Sequence, residues 1–532
     1  MPAKSQSVKT VSTRLIALAL VLISLPSAAH VSEQGFVLLL PTGVYITGGV
    51  LAVVLTVVLL GFVSDRQASR LFHSRSLWTA PELDRWQTLS SLLSFCVLLG
   101  LILVGLTGSR DPLSNPFPLF IWTLWWIGFV SLQGIAGDLW RWINPWMGLY
   151  KLITPGIKPA RATLPERLGI WPATCLFVAF IAFSLADTSP DDPARLAIVV
   201  SAYYLFTLAG MWLCGAEIWL SRVECFSVLL RYYAMLAPLA RKTVRLETVH
   251  QDGAWRGDDQ VLASQSLPAA QSSRSPNYGY LQTPHHSPGR MGLGLPGWAA
   301  CYQASALHDD RELSDAVLAS VGVFILVVLA CGSFDGINET FWWLSLIDIN
   351  PLEYPGRSAV VTETLVGLLL ANVTLLLVFS CCVVSGLWLA SRGTDAVRVS
   401  YLRAFGTLAV GILPIAFAYH IAHYLTAFMV NAQYALAAVS DPLHTGADYL
   451  GLGTFYVTTG FFNTHHTVQI IWLTQAGVVV AGHVLSVLLT HALAVKLLGT
   501  GRRAVISQLP LALFMILYTL LGLWLLASPR GA

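Results

Sequence analysis

The segment 402–430, LRAFGTLAVGILPIAFAYHIAHYLTAFMV, decides the fold class. Arg403 is its one fixed charge and stands at its start. Beyond it the run stays apolar for longer than the roughly 20 residues a helix needs to cross a hydrocarbon layer. Only His420 and His423 interrupt it with ionisable groups. Nine further stretches are long and apolar enough to span, approximately 42–63, 88–107, 117–136, 169–186, 195–214, 314–333, 360–390, 469–495 and 506–527. The expected fold is an all-α, polytopic integral membrane protein of about ten transmembrane helices in two groups of five.

Composition agrees. Of 532 residues, 55% are hydrophobic and 11% charged, against roughly 25% charged in an ordinary soluble domain. Mean hydropathy is +0.66. A formal charge of +3 leaves no basic field to attract phosphates, which excludes a nucleic-acid partner and leaves the lipid bilayer. Cys96, Cys175, Cys214, Cys331, Cys381 and Cys382 lie in or at the ends of apolar runs, and no C-x-x-C spacing occurs. They read as small hydrophobes rather than as a disulfide scaffold.

The first 29 residues read as a cleavable signal peptide. Lys4, Lys9 and Arg14 precede the short apolar run Leu15 to Leu25, and Pro26-Ser27-Ala28-Ala29 supplies small residues for cleavage. The mature chain would then begin at His30, whose α-amine and imidazole can chelate one metal ion together. With that end outside, the loops placed inside hold 24 Lys and Arg, and those placed outside hold only Arg110, Arg195, Arg357 and Arg530. The positive-inside rule is therefore obeyed by every loop, and both mature termini are expected outside a bacterial inner membrane.

Four regions follow: the signal peptide 1–29, an N-terminal membrane half 30–240, a polar linker 241–312 expected to be disordered, and a C-terminal half 313–532. Residues 216–240, with Arg222, Glu224 and Arg231, are expected to extend a helix or to lie on the membrane. Trp140 to Trp146 reads as an interfacial turn.

Seven of the 13 His fall between 420 and 491. His420 and His423, spaced i, i+3, share one helix face. Counted from the outer surface, His420 lies roughly 15 Å deep. His483 on the next segment reaches a similar depth, so the two can meet if those helices are neighbours. His491 is about 12 Å further in and belongs to a second site, a proton relay or packing. Polar groups at this depth face a bundle interior or cavity. Neutral imidazoles suit copper or zinc, and Asp335 or Glu363 is expected to ligate the ion, orient an imidazole or accept a proton. The plain alternative for each helical His is an interhelical hydrogen bond.

The ordered set Asp138-Leu139-Trp140-Arg141-Trp142-Ile143-Asn144-Pro145-Trp146, Ser333-Phe334-Asp335-Gly336, Tyr419-His420-Ile421-Ala422-His423-Tyr424, Ser440-Asp441-Pro442, Gly482-His483-Val484 and His491 resembles the bacterial integral-membrane proteins known as fenitrothion hydrolases. The resemblance runs from the first spanning segment to the ninth. It implies hydrolysis of an organophosphorus triester with release of a nitrophenol, and a second, related membrane subunit as partner. A divalent transition metal at His420, His423 and His483 would supply that chemistry by acidifying bound water and polarising the phosphoryl oxygen of a hydrophobic small-molecule substrate. Two other readings remain open: a transporter or metal-handling protein using the same His, and a non-catalytic subunit of a membrane complex.

Overall fold

The computed structural model describes residues 37, 39–62, 70–79, 83–154, 161–242, 290–309, 313–353, 356–392, 399–499 and 501–530. The signal peptide and His30 lie outside the described residues. Ten helical segments are long and apolar enough to cross a membrane: α1 (Thr42–Leu60), α2 (Asp84–Thr107), α3 (Pro116–Ala136), α4 (Glu166–Ala186), α5 (Pro193–Cys214), α6 (Asp315–Asn338), α7 (Val361–Ala390), α8 (Tyr401–Ser440), α9 (His465–Leu498) and α10 (Leu509–Ala527).

Local chemistry sets their starts. The side chains of Asp192, Ser314, Ser400 and Thr464 each accept a backbone N–H from the first turn of α5, α6, α8 and α9, satisfying donors that have no partner inside the helix. Pro193 occupies the first turn of α5, where its missing N–H costs nothing. Within α8 the helix divides at Gly411-Ile412, two residues before Pro414, whose ring cannot accommodate a preceding helical carbonyl. α3 is mostly π-helical, over Leu119–Phe129.

Burial orders the bundle. α6 and α8 form its centre, with 83% and 89% of their apolar windows buried, whereas α1 and α2 are 11% buried and present apolar side chains outward. The two groups of five are not separate bodies. α1 packs against α9 and α10, the π-helical part of α3 against α8, and α4 against α6. A single large core holds residues from both groups, from Val53 to Tyr518.

One end of the bundle carries a three-stranded antiparallel sheet in the order β1 (Arg75–Thr79), β3 (Arg290–Leu293), β2 (Leu239–Lys242). Followed by the helix Trp298–Asp309, it occupies the described ends of the expected 241–312 linker. Those ends are therefore folded, and the rest of that stretch lies outside the described residues.

The stretch 216–240, expected to extend a helix or to lie on the membrane, does neither: α5 ends at Cys214, with Gly215 at positive φ, and most of residues 216–234 are buried. They form two short helices, Ala216–Arg222 and Cys225–Ala234, sunk into the protein. Arg222 is 2% exposed and donates to the carbonyls of Leu164, Pro165, Glu166 and Gly169, which makes its burial tolerable. Trp140 and Trp146 are likewise buried rather than interfacial: their indoles donate to Ser227 and to the Tyr204 carbonyl.

Candidate functional site

α6 and α8 cross where each carries polar residues. On α8, His420, His423 and Tyr424 stand three and four positions apart and so project from one face. That face meets Asp335 near the end of α6. Asp335 Oδ2 accepts the Tyr424 hydroxyl at 2.5 Å and lies 3.0 Å from His423 Nε2. A carboxylate only accepts, so Nε2 carries the hydrogen, and in the neutral imidazole Nδ1 keeps its lone pair. Nδ1 of His423 and Nε2 of His420 have no hydrogen-bond partner among the described residues. Both rings are buried, at 8% and 6% exposure.

Close backbone approach makes this contact possible. A Cβ at position 336 would stand 2.0 Å from the Tyr419 hydroxyl, and one at 482 would stand 2.3 Å from Ala418 Cβ and 2.9 Å from the Pro414 carbonyl. Gly482 thus lets α9 lie against the α8 backbone, whereas Gly336 leaves room for the Tyr419 side chain beside His423. Gln475 of α9 donates to the Ala422 carbonyl at 2.8 Å, in the turn between the two histidines.

Trp126 closes the cluster from the π-helical turn. Its ring meets His420 edge to face at 5.2 Å and lies 6.4 Å from Tyr424. π-helical turns recur at functional sites, because the extra residue per turn redirects side chains.

The cluster borders a cavity of about 690 Å³ on the side opposite the sheet. Trp122, Ile127, Val430, Ile471 and Trp472 give it an apolar wall, while Asp335, His423 and Tyr424 line it with polar groups. Asp191, Glu339, Arg357 and Arg530 also line it. Arg530 lies 3.4 Å from Glu339, and Arg357 donates to the Ser184 carbonyl at 2.7 Å. Burial raises the Asp191 carboxyl above its ordinary value, against the opposing pull of the Arg357 guanidinium.

A second cavity, of about 30 Å³, lies against the same cluster, with His420, Tyr419 and Gly332 in its wall. Trp126, Asp335, His423 and Tyr424 line both cavities and form the partition between them.

The expected site residues are therefore only partly brought together. Asp335, His420 and His423 share one location. His483 borders neither cavity: its Nδ1 lies 2.8 Å from the Val479 carbonyl and its ring 6.4 Å from Tyr518, whose hydroxyl meets Ser333 at 2.5 Å. His491 is buried, with Nδ1 3.2 Å from Gln508 Oε1. Glu363 is exposed and borders neither cavity, because its neighbour Thr364 takes the inward position on α7. His444, His465 and His466 are exposed.

Among the described residues, no three His, Cys, Asp or Glu are disposed to hold a metal ion together. Tyr424 and Trp126 were not singled out by the sequence. Tyr424 follows His423 directly and could have been read from its place four residues after His420, whereas the π-helix that aims Trp126 has no sequence signature. No family model, no curated protein and no solved structure matches the chain, so the chemistry of the site rests on its own geometry.

Proposed function

We propose that the protein is a membrane-bound hydrolase that admits an uncharged, hydrophobic ester to the large cavity and cleaves it with water activated by His423. One observation carries this reading: the imidazole held by Asp335, its second nitrogen unpartnered, beside a cavity of about 690 Å³. Cavities of roughly 300–1,000 Å³ suit drug-sized ligands. In this role Nδ1 takes the proton from water, and Asp335 holds the ring and stabilises the imidazolium. Tyr424, bonded to the same carboxylate oxygen, fixes the acceptor.

The substrate class that accords with the sequence resemblance is an organophosphorus triester, with a nitrophenol as leaving group. Such a compound is uncharged and lipid-soluble, in keeping with the apolar wall. The loop charges support a reading in which the cavity faces the outer side of a bacterial inner membrane. A related membrane subunit belongs to the same proposal and would be recovered by co-purification.

Copper or zinc, when bound, would acidify water and polarise a phosphoryl oxygen. The described side chains do not fit the expected His420, His423 and His483 donor set, because His483 faces Tyr518 instead. No step is taken through such an ion.

The test is release of nitrophenolate from an aryl dialkyl phosphorothioate by the full chain in nanodiscs, with metal content measured on the same sample. Turnover lost in His423→Ala supports the reading. Uptake of the triester into proteoliposomes without cleavage would assign the cavity to transport instead.

A further inference from the structure

Attack of water on a phosphorus ester builds negative charge on the phosphoryl oxygen. Neither His423 nor Asp335 can offset it, because one takes up the proton and the other is itself an anion. Arg530 stands beside them. It lines the large cavity together with Asp335, His423 and Tyr424, and its guanidinium is close enough for its charge to act on Asp335 and Tyr419.

The chain around Arg530 is tied down. Just past α10, the Pro529 carbonyl accepts the Phe341 N–H at 3.0 Å, and a single antiparallel bridge pairs Arg530 with Thr340. Thr340 is fully buried and follows the end of α6 by two residues. One short stretch thus carries Asp335 and holds the Arg530 backbone. The Trp472 indole of α9 adds a second tie, donating to the Leu526 carbonyl at 3.2 Å. The guanidinium itself is less committed: Nη1 lies 3.4 Å from Oε2 of the half-exposed Glu339, and an ion pair of that length and exposure contributes little to stability. Arg357, also on the wall, is engaged by the Ser184 carbonyl at 2.7 Å, and its charge acts on Asp191.

We propose that Arg530 is the anion-stabilising residue of the site: its guanidinium bonds the phosphoryl oxygen as charge develops there and then holds the dialkyl phosphate product. The proposal rests on the hydrolase reading and adds a substrate preference to it. A guanidinium N–H bonds a charged oxygen strongly and sulfur weakly, so the site favours phosphate triesters over phosphorothioates.

In the step, the water oxygen bonds to phosphorus as one of its protons passes to His423 Nδ1. The bond from phosphorus to the aryl oxygen breaks with its electron pair on the aryloxide. The products are a neutral dialkyl phosphoric acid, an aryloxide and an imidazolium, and the charges balance. The acid then releases its proton to water and becomes the anion that Arg530 retains. Arg530 keeps its own protons throughout.

The experiment makes two measurements on the full chain in nanodiscs, for wild type, Arg530→Gln and Arg530→Lys, with thermal unfolding of each. One is calorimetric binding of diethyl phosphate, which needs no turnover. The other is kcat for an aryl diethyl phosphate and for its phosphorothioate analogue, their ratio being compared with that of alkaline hydrolysis.

Arg530→Gln should bind diethyl phosphate about tenfold or more weakly than wild type, the loss of one charge-assisted contact. Its kcat for the phosphate should fall about 100-fold, the usual cost of removing one oxyanion donor. The phosphorothioate should lose much less, so the ratio of the two falls toward that of alkaline hydrolysis. Arg530→Lys, which keeps the charge without the planar fork, should lie between. Equal binding of diethyl phosphate by wild type and a folded Arg530→Gln overturns the proposal, as does an equal loss of kcat for both esters. If Arg530→Gln does not fold, unchanged binding and an unchanged ratio in Arg530→Lys overturn it. If the wild type cleaves neither ester, the hydrolase reading fails, while Arg530-dependent binding of diethyl phosphate still establishes the anion subsite.

Discussion

His423 and Asp335 meet across the α6–α8 interface, Nε2 to Oδ2 at 3.0 Å, at the centre of the bundle and beside a cavity of about 690 Å³. An ionisable pair placed there carries a heavy desolvation cost that stability alone does not explain. Groups of this kind inside membrane segments mark functional sites by default.

Asp335→Asn keeps the shape of the side chain and removes its charge. An amide can offer a hydrogen where the carboxylate only accepts, so the hydrogen on His423 can shift from Nε2 to Nδ1 and the free lone pair is lost. Turnover of the triester is expected to fall by about 100-fold or more with KM little changed. Steady-state kinetics of the purified variant check this, with thermal unfolding to confirm that it is folded.

Two glycines support the site without touching it. Gly336→Ala would drive a methyl group into the Tyr419 hydroxyl, and Gly482→Ala would drive one into Ala418 and the Pro414 carbonyl. Overpacking of this type costs about 1–3 kcal/mol. Gly482→Ala should unfold at lower temperature in detergent and lose activity as α8 and α9 part, whereas Gly336→Ala should cost less stability, because only the Tyr419 side chain has to move. Gly477→Ala on the same helix as Gly482 is the control, because nothing stands within 4 Å of the added carbon.

The loop after α8 should respond to acid. Asp441 accepts backbone N–H groups of Thr445 and Gly446 at 2.9 and 2.7 Å, and Asp448 accepts those of Gly453 and Leu452 at 2.8 and 2.7 Å. These bonds favour the charged form and hold both carboxyls below the ordinary carboxylate value. A lowered pKa stabilises the folded loop above the unfolded value, near 4, and that contribution is lost as pH falls through the folded one. Protection over 441–453, taken relative to the intrinsic exchange rate at each pH, should therefore be high at pH 6 and be lost as pH falls through the lowered carboxyl values. Asp441→Asn and Asp448→Asn should weaken the protection at pH 6.

Orientation is tested by labelling. Tyr449 is 74% exposed on the side of the large cavity, and Trp78 is 52% exposed in the sheet at the opposite end. In a background without reactive native cysteines, Tyr449→Cys should react with an impermeant maleimide on intact spheroplasts. Trp78→Cys should react only after permeabilisation. The reverse pattern would put the cavity on the cytoplasmic side.

The spanning helices were legible because the bilayer imposes length and apolarity on each segment separately. All ten expected stretches coincide with helices, although α2, α6, α8 and α9 run several residues past the apolar limits read for them. Burial of Arg222 and Trp146 was not legible, since a charge or an indole between apolar runs reads as a surface feature until its carbonyl partners are known.

The site was half legible. Helical spacing placed His420 and His423 on one face, and Asp335 was a candidate ligand or orienting carboxylate from just past the expected end of its span at 333, whereas α6 continues to Asn338 and carries it inside the bundle. His483 misled because depth is a single coordinate: equal depth on adjacent helices does not fix rotation, and Gly482, one residue away, takes the face against α8. Rotation also separates exposed Glu363 from inward Thr364.

The most direct test is kcat/KM for nitrophenolate release, wild type against His423→Ala and Asp335→Asn. The wild type should turn over the triester, with both variants reduced about 100-fold or more and folded by thermal unfolding. Wild-type rates in a folded His423→Ala variant would contradict the assignment of His423 as the base.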